Sequence, residues 1–271
     1  IRHPDMPKGV FWLLWDTIKR GRNIGVYVKN RSKYGLYYWV YSMVVPCEGG
    51  YISIRFKPSS AILATIQTEY AALLNAEQTE NLTPEESALR LLARLKELGF
   101  DKYHHFAANA AAEELLARDV GLNQKQDPTI SNMRTMLNNA ETLKQESEGL
   151  VQEFEAMRTI PHNLRVIASR IEPAGGPVTV LSQNYSTMSR SMSEWFEAHV
   201  LGEKSNFASI KGTVNNCLFA EYMSFVMREC NEQFLNERRT LGNIDADVES
   251  GILKKISADR VAEAHSGLKD V

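Results

Sequence analysis

Cysteine, net charge and long apolar runs are all scarce in this chain. Three cysteines in 271 residues, Cys47, Cys217 and Cys230, are too few and too scattered for a disulfide framework or a zinc site. They are expected to be reduced packing residues. A formal net charge of −2 with no basic cluster argues against nucleic acid as a partner. No apolar run reaches bilayer length and no signal-peptide pattern opens the chain, so a soluble, cytoplasmic protein without a membrane span is expected. Gly-x-Ser-x-Gly, the P-loop and paired Cys-x-x-Cys motifs are all missing, which leaves no catalytic constellation, so no enzyme is expected. The adjacent carboxylates Glu85-Glu86 and Glu113-Glu114 read as capping positions or solvated helix faces. His104 and His105 are neighbours in sequence, point to different faces of a helix and do not chelate one ion, so no metal is expected.

The chain has the length for two or more units, and its 44% apolar content is that of a globular protein. Val10 to Arg20 has helical character and is followed by Gly21. Three strand-like runs come next, Val26–Arg31, Leu36–Val45 and Tyr51–Lys57, the second dense in aromatic and β-branched residues. Ser32-Lys33-Tyr34-Gly35 and Pro46-Cys47-Glu48-Gly49-Gly50 supply the turns. A three-stranded antiparallel meander preceded by a helix is the simplest outcome.

After Lys57 the period becomes helical. Ser59 or Ser60 is placed to cap a helix with Ile62, Ile66, Tyr70, Leu73 and Leu74 on one face. Thr83-Pro84-Glu85-Glu86 forms a capping box opening a helix striped by Leu89, Leu92 and Leu95 and ended by Gly99. A further helix covers Asp101 to Arg118, and Gly121–Pro128 reads as a linker. Met133, Met136, Ala140, Leu143, Ser147, Leu150, Phe154 and Met157 then alternate steps of three and four, a heptad seam. Ile160, Leu164, Ile167 and Ile171 resume it one residue out of register. Pro173-Ala174-Gly175-Gly176-Pro177 breaks the helix, and Val178, Leu181, Tyr185, Met188, Met192 and Trp195 repeat the spacing. An antiparallel helical hairpin, packed like a coiled coil, is expected. Ser205 caps a long helix to Arg239, Gly242-Asn243 breaks it, and a last helix covers Ile252–Ala264. The fold class expected is α+β, a small antiparallel sheet followed by a mostly α-helical bundle.

Arg2-His3-Pro4-Asp5-Met6-Pro7, Leu14-Trp15-Asp16-Thr17-Ile18-Lys19-Arg20-Gly21-Arg22, Val28-Lys29-Asn30-Arg31, Tyr38-Trp39-Val40 and Ile52-Ser53-Ile54-Arg55 together resemble the PAS domain of bacterial aerotaxis receptors, in its second half. The resemblance implies a flavoprotein: FAD held non-covalently, with Arg2, His3, Asp5, Phe11 and Asn30 as contacts and a pocket lined by Phe11, Trp15 and Asn30. Ile24 stands where the family usually has a tryptophan. Read from the residues alone, Arg2 and His3 supply donors for phosphate or ring oxygens, and Asn30 suits an isoalloxazine edge. The alternative is that Arg2, His3 and Asp5 only cap the following helix. Haem with His3 as axial ligand is a lesser alternative to FAD.

Residues 163–182 look like a shortened chemoreceptor signalling hairpin, which implies a chemotaxis kinase and its coupling protein as partners. Pro161-His162-Asn163 faintly resembles a phospho-accepting segment, but Asn163 replaces the acidic residue and no ATP-binding domain follows. His162 therefore reads as a packing or solvated residue. The organisation expected is a PAS-like sensor module over 1–58, connecting helices over 59–122, a bundle and hairpin output region over 128–240, and a C-terminal helix and tail over 241–271. The function implied is redox or oxygen sensing for aerotaxis, passed by the helix after Lys57 to a helical output region, in a homo-oligomer, a dimer. The rival is a scaffold that uses a ligand-free PAS remnant for dimerisation.

Overall fold

Alternating side chains and two glycine turns set the sheet. The computed structural model describes residues 2–157, 159–171, 176–202, 204–236 and 246–269. Helix α1 (Lys8–Lys19) leads into strands β1 (Ile24–Arg31), β2 (Tyr37–Cys47) and β3 (Gly50–Phe56), paired antiparallel in the order β1-β2-β3. Gly35 and Gly49 carry φ of +85° and +79°, a left-handed conformation that costs glycine little, and each lies in one of the two hairpin turns. The register pairs Tyr27 with Tyr41 and Lys29 with Trp39. These four therefore share one face, while Asn30 and Tyr38 lie on the other.

Helices follow: α2 (Ile62–Thr79), α3 (Pro84–Glu97), α4 (Tyr103–Gly121), α5 (Pro128–Met157), α6 (Thr159–Ile171), α7 (Pro177–Phe196), a π-helical turn at Glu197–Leu201, α8 (Asn206–Asn236) and α9 (Ala246–Lys269). The fold is α+β, as the sequence patterns indicate. Contacts divide it into two units, Ile1–Arg134 with Asn215–Lys269, and Thr135–Val214.

In the first unit, the Thr83 capping box forms, with Glu86 Oε2 accepting the Thr83 amide at 2.8 Å. It sets the phase of α3 differently from the Leu89, Leu92, Leu95 stripe. Ala88, Leu91 and Leu95 are buried and Leu89 faces solvent, because α3 turns its small residues to α1. Gly9 of α1 lies so close to α3 that a Cβ there would sit 2.5 Å from the Ala88 amide nitrogen. Glu77, buried in α2, accepts the Gly9 amide at 3.0 Å and the Ser87 hydroxyl at 2.5 Å. One carboxylate thus joins three helices. On α2, Ile66, Tyr70 and Leu73 are buried as the pattern expects, whereas Ile62 and Leu74 are only half-buried.

Glu113-Glu114 corrects the solvated-face reading. Glu113 pairs with Arg134, and Glu114 is 0% exposed, accepting hydrogen bonds from Tyr27, Ser59 and Ser60. Tyr41 on the same sheet face donates to the Ala107 carbonyl at 2.7 Å, which fixes α4 over the sheet. Asp127 caps α5 through the Thr129 amide at 2.8 Å. Arg260 of α9 donates to the Pro46 carbonyl at 2.7 Å.

The second unit holds the hairpin. Ser182 Oγ donates to the Pro161 carbonyl at 2.7 Å and Ser189 Oγ to the Phe154 carbonyl at 2.8 Å. The donors are seven residues apart in one direction and the acceptors seven apart in the other, which makes α7 antiparallel to the α5–α6 strand of the hairpin. The seam differs from the heptad reading. Of the expected seam Ser147 is buried, but Leu143, Leu150, Leu181, Met188 and Trp195 are exposed, and Ser182 and Ser189, outside the seam, are buried instead. Small hydroxyl residues let the helices approach closely and bond across, and the large side chains are left on the outside. Of the expected tip, Pro173, Ala174 and Gly175 lie outside the described residues, as do Gly242-Asn243 and the expected end of the long helix at Arg239. His162 is exposed. Ser205 caps α8 through the Ala208 amide at 3.1 Å.

Gly9→Ala is expected to lower stability by about 2–3 kcal/mol, since its methyl meets α3 backbone at Ser87 and Ala88 as well as the Ser87 hydroxyl; a urea titration checks this. His104 gives a second test. Burial first, and then Lys102 and Arg22, leave its pKa lowered to about 4. Between that value and the unfolded value near 6.5 the unfolded chain binds the extra proton, so stability falls as pH drops through this window. His104→Gln is expected to remove up to about 3 kcal/mol of that acid-side loss, seen as a flatter dependence of the urea midpoint on pH.

Candidate functional site

The N-terminal segment reaches the sheet through a single antiparallel bridge between Arg2 and Asn30, and the His3 amide donates to the Lys29 carbonyl at 3.2 Å. This brings Arg2 and His3 to the end of β1, beside Asn30 and Lys29. The Arg2 guanidinium carbon sits 4.3 Å above the centre of the Phe11 ring, and its Nη2 donates to the Met6 carbonyl at 3.0 Å. A cation over an aromatic face in partly wet surroundings contributes about 0.5–1 kcal/mol. None of these groups caps α1: Pro7 occupies the N-cap without a side-chain bond. The capping alternative for Arg2, His3 and Asp5 is therefore overturned.

His3 Nδ1 accepts the Asp5 amide at 3.2 Å. Its edge meets Tyr37, with ring centres 5.8 Å apart. Asp5 Oδ2 accepts from Lys29 Nζ at 2.6 Å, and that hydrogen bond holds the Asp5 carboxyl below the usual carboxylate range. Lys29 Nζ also stands 4.2 Å above the Tyr37 ring. Trp15 is one turn along α1 from Phe11 and turns to β3, its ring 5.3 Å from that of Tyr51 and edge-on. It is 41% exposed. The structure thus sets Arg2 against Phe11 and bridges it to Asn30, holds His3 and Asp5 with Lys29 and Tyr37, and seats Trp15 in a separate aromatic pair.

The sequence reading misses Lys29 and Tyr37 as members of this cluster. A period-two reading of the same motif finds them, because Tyr27, Lys29 and Arg31 alternate with Val28 and Asn30. On their face of the sheet a groove of about 410 Å³ opens against α2, lined by Asp5, Lys29, Tyr37 and Trp39 on one side and by Gln67, Tyr70, Leu74, Asn75 and Gln78 among others on the other. Strand parity puts Asn30 on the opposite face, so the Asn30 side and the groove are two different surfaces of one strand.

Behind the groove lies a set of buried phenols. Burial raises the pKa of Tyr27, Tyr41 and Tyr103, which keeps each a neutral O–H donor. Tyr27 donates to Glu114 Oε1 at 2.7 Å and Tyr103 to the Gly25 carbonyl at 3.0 Å. The Tyr27 and Tyr41 rings meet edge-on at 4.8 Å. Gly25 gives Tyr41 its room, since a Cβ there would lie 2.2 Å from the Tyr41 hydroxyl oxygen.

No family model matches the sequence. A stretch of the chain is 44% identical over 84 residues to the aerotaxis receptor of Escherichia coli (strain K12), covering 29% of this chain and 16% of the receptor. Part of this chain is therefore related to an aerotaxis receptor, over a stretch that spans 16% of that receptor's length.

Proposed function

We propose that the protein is a sensory signal-transduction protein, that α1 with the three strands is the second half of a PAS module, and that this module senses redox state or oxygen through FAD. The relatedness to an aerotaxis receptor carries this reading. The bridge that sets Arg2 beside Asn30, the Arg2–Phe11 stack and the Asp5–Lys29 pair support it. Arg2 and His3 would meet phosphate or ring oxygens, Asn30 the edge of the isoalloxazine, and Phe11 and Trp15 its ring system. A change of flavin redox state alters hydrogen bonding at Asn30 and along the sheet, which biases α2 between two packings that the helical region reads out. The role is non-enzymatic, and the location is cytoplasmic. No helix among the described residues is long and apolar enough to cross a membrane.

The expected partners are a second copy of this chain and, at the hairpin, a chemotaxis kinase or its coupling protein. The second copy is supported by the outward stripe of the hairpin: Leu143 and Leu150 are seven residues apart on α5, and Leu181, Met188 and Trp195 are spaced by seven on α7. Such spacing keeps one apolar line facing a neighbouring hairpin, and two hairpins make a four-helix bundle.

The visible spectrum of the purified protein tests the sensor reading. Flavin bands that bleach on reduction and are lost in Asn30→Ala are the expected result; a Soret band moves the reading to haem at His3. A folded, colourless protein that takes up neither cofactor leaves the ligand-free scaffold. For the partner, light scattering after gel filtration is expected to give a dimer, and a monomer for Leu181→Glu combined with Met188→Glu.

A further inference from the structure

Glu114 is a fully buried carboxylate held by four donors from two places in the chain. Its Oε1 accepts Tyr27 Oη at 2.7 Å and Ser60 Oγ at 2.7 Å. Its Oε2 accepts the amides of Ser59 at 2.5 Å and Ser60 at 3.0 Å. A carboxylate out of water persists only where protein donors replace its hydration. Here those donors are one strand hydroxyl and the turn from which α2 departs.

The donor set is also a path. Tyr27 is three residues from Asn30 on β1, on the opposite face, so a shift of this strand moves both. Tyr41 backs the Tyr27 ring at 4.8 Å and is itself tied to α4 by its bond to the Ala107 carbonyl. Tyr27 therefore has little freedom except along its bond to Glu114. Beyond the carboxylate, Ser60 Oγ also accepts the Ile62 amide at 3.3 Å, the first residue of α2. Sheet, carboxylate and helix start are joined by consecutive hydrogen bonds.

We propose that Glu114 is a releasable latch between β1 and the start of α2, engaged when its carboxylate holds the Ser59 and Ser60 amides and released when Tyr27 withdraws. The latch gives the sheet-to-α2 coupling of the proposed function a specific regulatory group, and it rests on that reading only for the identity of its input. Tyr27 and Glu114 act here as positioning residues. Neither touches the Asn30 face of the strand.

Hydrogen exchange on the full chain tests it, comparing wild type with Tyr27→Phe, Glu114→Gln and the control Tyr103→Phe. Tyr103→Phe removes another phenol hydrogen bond of this unit, a part-buried one to the Gly25 carbonyl, without touching Glu114. The expected result is exchange about tenfold faster at residues 59–66 in Tyr27→Phe and Glu114→Gln, with α3 unchanged and no such change in Tyr103→Phe. Equal protection of residues 59–66 in wild type and Tyr27→Phe overturns the proposal, as does a uniform rise shared by the control. Tyr27→Phe removes one bond of four and decides the matter alone where Glu114→Gln does not fold. Repeating the comparison with added FAD separates the two readings. Local loosening in Tyr27→Phe without FAD uptake keeps the latch and removes the flavin sensor; FAD uptake without local loosening does the reverse.

Discussion

A carboxylate withdrawn from water must recover its hydrogen bonds from the protein, and the first unit is arranged around two that do so. Glu77 gathers the Gly9 amide and the Ser87 hydroxyl, and so fixes where α1, α2 and α3 meet. Glu114 gathers Tyr27, Ser59 and Ser60, and so fixes where α4, β1 and the start of α2 meet. Both anions lie against α2 or its entry, one near each end. The path of α2 across the unit is thereby set by polar contacts at its ends and by Ile66, Tyr70 and Leu73 between them. Removing either acceptor strands buried donors, a cost of about 1–3 kcal/mol for each unsatisfied group.

Much of this architecture is legible in the sequence, and the parts that are not have a common cause. The three strands, their turns and the Thr83 capping box are local features, written in alternation, glycine placement and cap spacing. Glu114 is not local. Its partners lie 54 to 87 residues away, and beside Glu113 it looks like any exposed pair on a helix. Leu89 fails for a related reason. The stripe Leu89, Leu92, Leu95 is a fair amphipathic pattern, yet the surface it must meet carries Gly9, and only Ser87 and Ala88 are small enough to approach it.

The candidate site divides in the same way. Arg2, His3, Asp5, Phe11 and Asn30 are visible through the resemblance, and the fold sets Arg2 against Phe11, bridges it to Asn30 and holds Asp5 beside His3. Lys29, which pairs with Asp5 and stands over Tyr37, sits inside that motif and is visible only when strand parity is applied. Parity also separates the Asn30 face from the groove face. A single strand thus offers one side chain to each surface, and a displacement of β1 is felt on both without any further connecting element. That is the physical basis for carrying a change from the Asn30 side to α2, which begins on the Tyr27 side.

In the hairpin, hydrophobic periodicity gives the right helices and the wrong interior. Steps of three and four identify Leu143, Leu150, Leu181, Met188 and Trp195 as one stripe, and heptad reasoning would turn that stripe to the partner helix. Instead Ser182 and Ser189 take the inside, and of the α5 seam Ser147 is buried where Leu143 and Leu150 are not. Their hydroxyls bond main-chain carbonyls, Ser147 to Leu143 of its own helix and the other two across to Pro161 and Phe154. A serine seam satisfies its own polar groups and needs no large apolar neighbour, so it holds two helices together at short range. The large residues then keep a period-seven line on the outside, Leu143 and Leu150 on α5 and Leu181, Met188 and Trp195 on α7. Two-helix packing through small residues and bundle packing through large ones are separate demands, and this sequence meets the first on one face of the hairpin and presents the means for the second on another.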